Sequence, residues 1–112
     1  MASYTVSELE GIIVIVLGDT LEMHNTDEFY SDMQQLIEGS TPRMILDFTA
    51  VEFVSSLGLA VLIRLHGRLN KKGSDLKLAA LPNPIAELLR FTRLDKVFEI
   101  HPTVAEARAA FE

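Results

Sequence analysis

The chain has 112 residues, with 16 Asp plus Glu against 10 Lys plus Arg and a formal charge of −6. That acidic balance argues against direct nucleic-acid binding, which needs a surplus of basic side chains. A hydrophobic content of 48% suits one packed core and is too high for a disordered tail, and the absence of cysteine excludes a disulfide framework or a thiolate site. The longest unbroken apolar run, Ile12 to Leu17, falls far short of the ~20 residues of a membrane helix. The N-terminus has neither a basic start nor an apolar signal core. A single acidic domain over residues 1–112 is expected, cytoplasmic and not inserted in a membrane.

Thr5 to Leu9 mixes polar and apolar residues as an edge strand does, and Glu10-Gly11 offers a turn into Ile12–Leu17. That second run is β-branched and apolar on both faces, which suits a strand covered from two sides and paired antiparallel with the first. Gly18 ends it. Asn25 reads as an N-cap with Glu28 three residues on, and Phe29, Tyr30, Met33, Leu36 and Ile37 follow at helical spacing up to Gly39. Met44 to Phe48 is the next buried-type strand, and a strand, helix and strand in succession imply a right-handed parallel crossover.

Ser55-Ser56 then open a helix from Leu57 to about Lys72, with Lys71 and Lys72 at its negative end and Gly73 as its stop. Leu59, Leu62, Ile63, His66 and Leu69 share one face; Leu57, Val61, Arg64 and Arg68 share another. Leu76, Leu78 and Ala80 alternate with Lys77 and Ala79 in a third core strand. Asn83-Pro84 reads as the cap and first position of a helix with Ile85, Leu88 and Leu89 on its apolar face. Val97 to Ile100 is a short strand, and Thr103 with Glu106 forms a capping box for a last helix carrying Ala107, Ala110 and Phe111. The order is β-β-α-β-α-β-α-β-α. It describes an α/β domain with a mixed, mostly parallel sheet of about four or five strands and about four helices.

Little in the chain points to catalysis. His24, His66 and His101 show no metal-binding spacing, and Glu22 beside His24 makes no metal site. Ser56 stands at a strand-to-helix turn, but the glycine pattern of a nucleophile elbow is missing on its upstream side. Neither Gly58 nor Gly67 belongs to a phosphate-binding loop. The expectation is a non-enzyme with no cofactor and no metal. The two serines still sit where backbone N–H groups and the positive end of a helix dipole favour an anion. Serine at a helix start is commonly just a cap, yet phosphate added there would leave the fold intact and repel an acidic or apolar partner.

The segment Leu46 to Leu59, with Asp47-Phe48, Val51-Glu52-Phe53-Val54 and Ser55-Ser56-Leu57-Gly58-Leu59, resembles the signature of STAS domains, the family of anti-sigma factor antagonists. Gly18-Asp19-Thr20-Leu21, the turn Lys72 to Leu76 and the stretch Phe91 to Phe98 extend the likeness along nearly the whole chain. The resemblance implies a partner-switching protein. In its unphosphorylated form such a domain binds an anti-sigma factor that is also a serine kinase; phosphorylation at the start of the second helix releases it, and a PP2C-type phosphatase resets it.

Carried over by position, the phosphoacceptor is Ser56, with Ser55 the alternative. Ser55 stands where the family has an acidic residue, and Leu57 replaces a small one. The expected partner-binding surface combines the Asp19–Asn25 loop, with Asp19, Leu21 and Asn25, and the helix positions Ser55, Leu57, Gly58, Val61 and Arg64. Asp47 is expected to act mainly as a strand-end acceptor. Other functions that the family accommodates are an accessory subunit of a lipid-transport ATPase and a signalling scaffold subunit.

Overall fold

A computed structural model describes residues 4–18, 20–21, 23–40 and 43–111. Strands β1 (Tyr4–Leu9) and β2 (Ile12–Leu17) form an antiparallel hairpin in which Leu9 faces Ile12. The two-residue connection puts both Glu10 and Gly11 at positive φ, 56° and 78°, the conformation that matches the right-handed twist of paired strands. Arg43 Nη2 donates to the Glu10 carbonyl at 2.7 Å and holds this turn.

Two short strands, β3 (Thr20–Leu21) and β5 (Phe53–Val54), pair with each other in parallel. Helix α1 (Met23–Ser40) leads to β4 (Arg43–Asp47), and α2 (Ser56–Lys71) leads to β6 (Leu76–Ala79). The chain closes with α3 (Asn83–Phe91), a 3₁₀ turn at Leu94–Lys96, β7 (Glu99–His101) and α4 (Val104–Phe111). The main sheet runs β1-β2-β4-β6-β7, parallel apart from β1. The α/β class and mixed sheet expected from the sequence are therefore present, with five strands and four helices.

Strict alternation along β2, β4 and β6 divides the interior in two. Ile13, Ile15, Leu17, Met44, Leu46, Leu76 and Leu78 meet Phe29, Met33, Ile37, Val61, Leu62, Leu65 and Leu69 from α1 and α2, with Ile85 and Leu89 from α3 completing that layer. Ile12, Val14, Ile45 and Ala79 point the other way, where Ala107, Val104 and Phe111 of α4 cover them. Tyr4 donates to Asp32 at 2.5 Å and packs edge-on against Phe29, tying β1 to α1; its burial and the neighbouring carboxylate push its hydroxyl pKa up to about 12.

Several boundaries differ from the sequence reading. Helix α1 starts at Met23, so Asn25 lies inside it rather than capping it. The chain leaves the β3–β5 pair at Leu21 and turns into helix almost at once. In α3 the cap position is Pro82, with Asn83 first and Pro84 second; a proline costs nothing there because the N–H it lacks has no intrahelical partner. Strand β7 begins at Glu99, two residues later than expected, because Leu94–Lys96 forms the 3₁₀ turn that delivers Phe98 to the core. The Thr103 half of the capping box is present, its Oγ1 accepting from the Glu106 N–H at 3.1 Å.

Alternation does not leave Lys77 in water, since α4 covers that face and Lys77 is only 4% exposed. Its ammonium donates to Glu99 Oε2 at 2.7 Å, lies 3.4 Å from Asp75 Oδ2, and sits 4.4 Å from the centre of the Phe111 ring. The Lys77 and His101 hydrogen bonds hold the Glu99 carboxyl below its usual value. A lowered carboxyl pKa contributes stability above the usual value near 4.5, lost as pH falls through the folded-state value. Glu99→Gln is therefore expected to cost about 1 kcal/mol at neutral pH, Glu99 being partly solvated, and to flatten the acid limb of stability against pH. Urea titrations from neutral pH to pH about 3 check both.

Candidate functional site at the start of α2

Parallel strands deliver their connections to one edge, beyond their C-terminal ends. At that edge β4 finishes at Asp47, whose Oδ1 accepts from the Thr49 N–H at 2.9 Å and from Thr49 Oγ1 at 2.5 Å. This carboxylate thus fixes the turn out of the strand, the structural role expected for it. The next hydrogen bonds, Phe48 N–H to the Ala79 carbonyl and Val51 N–H to the Phe48 carbonyl, curl the chain over the core, where Phe48, Val51 and Val54 are buried. Strand β5 pairs Phe53 with Thr20 and Val54 with Leu21, which places the segment following β2 directly beside the entry to α2.

Ser55 is the N-cap. Its backbone is extended (φ −78°, ψ 169°), its Oγ accepts from the Gly58 N–H at 3.0 Å, and its carbonyl accepts from the Leu59 N–H at 2.9 Å. Ser56 is the first residue of the helix, exposed, with no hydrogen bond to its side chain among the described residues. The first turn of α2 contains no acidic residue, so the positive end of its dipole is not offset from within the helix. On either side stand two apolar side chains in solvent, Phe53 at 50% and Leu57 at 47% exposure. The edge thus presents a free hydroxyl between apolar groups at a helix terminus that favours negative charge.

The residues expected at a partner surface separate into three groups. Leu57 and Arg64 are exposed on α2, and the Arg64 guanidinium lies 4.9 Å from the centre of the Tyr30 ring. Gly58 and Val61 are buried, Val61 at 5% exposure within the layer between α2 and the sheet, so the expected stripe through Leu57, Val61 and Arg64 is broken at its middle. The exposed positions instead follow Leu57, Ala60, Ile63 and Arg64, because the burial of Leu62, Leu65 and Leu69 rotates Val61 inward. Leu21 is beside Val54, Asn25 is within the first turn of α1, and Asp19 lies outside the described residues.

Phe53 escaped the sequence reading as a surface residue. Side chains in this two-residue strand point to opposite faces and Val54 takes the inner one, but a run that short leaves no alternation in the sequence to find it by. Among the described residues no three His, Asp or Glu side chains converge as metal ligands would, and no helix is long and apolar enough to cross a membrane.

Five strands in this order, with a serine-capped helix rising from the edge beside an accessory β3–β5 pair, define a small α/β domain whose exposed polar site lies at the start of its second helix. The chain belongs to the STAS domain family, whose model matches residues 3–107. The anti-sigma F factor antagonist of Paenibacillus polymyxa is 23% identical over 103 residues, covering 91% of this chain and 88% of that protein. Among solved structures, an anti-sigma factor antagonist from Mycobacterium paratuberculosis superposes with a TM-score of 0.88 at 23% identity, over 98% of this chain and 93% of that one. The Bacillus cell fate determinant SpoIIAA in its phosphorylated form gives a TM-score of 0.78 at 17% identity, over 98% of this chain and 100% of that one. These superpositions establish a shared fold.

The two serines have separable physical roles. Ser55→Ala removes the cap and is expected to lower stability by about 1 kcal/mol, whereas Ser56→Ala, at an exposed position, should change it by less than about 0.5 kcal/mol. Urea denaturation of the two variants beside the wild type checks the difference.

Proposed function

We propose that this chain is an anti-sigma factor antagonist, a non-catalytic cytoplasmic switch whose state is set at Ser56. Unphosphorylated, it binds an anti-sigma factor through the surface around the start of α2. That partner, acting as a serine kinase, phosphorylates Ser56 and is released, and a PP2C-type phosphatase restores the binding form. The observation that carries the reading is the division between the two serines: the Ser55 hydroxyl is held by the Gly58 N–H, while the Ser56 hydroxyl is exposed.

Physical chemistry supports a switch at this position. A phosphate on Ser56 would carry about two negative charges at neutral pH and would sit at the end of α2 that favours them, so the domain stays folded. The same charge would stand beside exposed Phe53 and Leu57. A partner that buries those side chains would then have to desolvate the phosphate as well, which opposes docking. Leu57 and Arg64 on α2, with the β3 segment beside β5, complete the proposed docking surface; Asp19, Leu21 and Asn25 belong to the segment entering it.

Peptide-level mass spectrometry on the protein from its native cells, in growth and under stress, tests the acceptor: a single phosphate on Ser56 with changing occupancy is expected. A phosphate on Ser55 would move the acceptor, and none in any condition would sink the switch. In binding measurements with the kinase so identified, Ser56→Ala should retain affinity and lose phosphorylation, while Ser56→Asp should weaken binding by about tenfold or more.

A further inference from the structure

Four of the chain's ten cations fall within nine residues of α2 and its C-cap, at Arg64, Arg68, Lys71 and Lys72, with no acidic residue among them. Together with Tyr30 of α1 and Gly67 they line an open groove of about 490 Å³ on a molecule whose net charge is −6. Arg64 is stacked on the Tyr30 ring and Arg68 is paired with Glu38 at 2.5 Å, so two of the cations are held in place. Arg68 Nε is sealed from solvent with no hydrogen-bond partner among the described residues. Lys71 and Lys72 are exposed and carry no ion pair with the described residues. The helix dipole accounts for cations in the last turn, but not for Arg64 two turns earlier.

Gly67 is the second observation. It lies on the exposed side of α2 between Arg64 and Lys71, in the interior of a helix, where glycine is worse than every residue except proline. Packing among the described residues does not require it, because a Cβ built there meets none of their atoms within 4 Å. Its left-handed freedom is not used either, since it is not among the residues at positive φ. A bare stretch of helix backbone flanked by cations is a surface on which another backbone can lie close.

We propose that this groove is a docking surface for an acidic segment of a partner protein, laid along α2 over Gly67 with its carboxylates between Arg64, Lys71 and Lys72. The cations are spread over more than two turns, about 12 Å of helix, rather than converging on one point. That spacing fits an extended chain of carboxylates better than a single small anion. On a protein of net negative charge, one positive groove also orients an acidic partner during approach and rejects other orientations. The proposal is distinct from the Ser56 reading, because it needs no phosphate and centres on Gly67, Lys71 and Lys72; of its lining residues only Arg64 also belongs to the surface proposed around Ser56.

The test uses the full chain, labelled with ¹⁵N, and an octaglutamate peptide as probe. Saturable amide shifts at Gly67, Lys71 and Lys72 are expected, fading as salt is raised. Lys71→Glu with Lys72→Glu should weaken binding by about tenfold or more. Gly67→Ala should raise the melting temperature by about 4 °C, showing that the glycine is not there for the fold, and Gly67→Gln should block the peptide while leaving the domain folded. Shifts spread equally over Arg90, Arg93 and Lys96 would overturn the proposal. So would inorganic phosphate displacing the peptide at equal concentration, or tighter binding to phosphatidylglycerol vesicles than to the peptide.

Discussion

Parallel pairing of β2, β4 and β6 is the constraint on which the rest of the molecule depends. Each of these strands must be followed by a crossover that returns the chain to the same starting edge, so every outgoing connection emerges at the opposite one. The segment after β2, the Phe48–Ser55 turn after β4 and the entry to α3 after β6 are neighbours for this reason alone. Strand pairing then sharpens the arrangement, since β3 lies against β5 with Leu21 beside Val54. The N-terminus of α2 is thereby fixed between two backbone segments and buried anchors, while its outer turn faces solvent. A site built on such an edge can vary in its exposed residues without disturbing the strands beneath it.

The same sheet explains the unusual chemistry of its other face. Among the described residues α4 covers that side, with Ala107, Val104 and one aromatic, Phe111. Phe111 lies near two cations, Lys77 at 4.4 Å and Arg43 at 5.9 Å from its ring centre, while its carbonyl accepts from Arg43 Nη1 at 3.3 Å. Arg43 also reaches the Glu10 carbonyl in the hairpin turn. One guanidinium therefore joins the first turn of the chain to its last helix. Lys77 is paired in this partly apolar setting with Glu99 and Asp75, so that a lysine nearly free of solvent contact is not left as an unpaired buried group.

Much of this was legible in the sequence because it rests on periodicity and punctuation. The both-faces apolar run Ile12–Leu17, the spacing of Phe29, Met33 and Ile37, and the Ser55-Ser56 step before an apolar helix each reflect one local rule, and each corresponds to the structure. What escaped depends on long-range pairing. Strands β3 and β5 have two residues each, too short to show alternation, and exist because they find each other across more than thirty residues of chain. Helical spacing alone cannot say which side of a mixed helix meets the sheet, and so does not reveal that Val61 lies inside. The burial of Leu62, Leu65 and Leu69 decides it. Nothing local to Lys77 reveals its burial, because α4, some thirty residues later, is what covers it.

Helix α2 joins two surfaces that obey different physics. At its N-terminus the backbone offers unsatisfied N–H groups and a hydroxyl stands between apolar side chains, so short-range desolvation governs that end and a phosphate on the hydroxyl would add charge to it. Its C-terminal half carries fixed guanidinium and ammonium groups, whose field extends about a Debye length, ~8 Å at physiological ionic strength. The helix spans about 24 Å, three of those lengths. Charge placed on Ser56 is therefore screened from Lys71 and Lys72, and the two ends act on a bound chain almost independently. A partner touching both would be oriented by the basic half whatever the state of the serine, and held or released at the other end. Rigidity makes that division possible: Leu62, Leu65 and Leu69 lock the helix onto the sheet, so that a change at one end leaves the geometry of the other untouched.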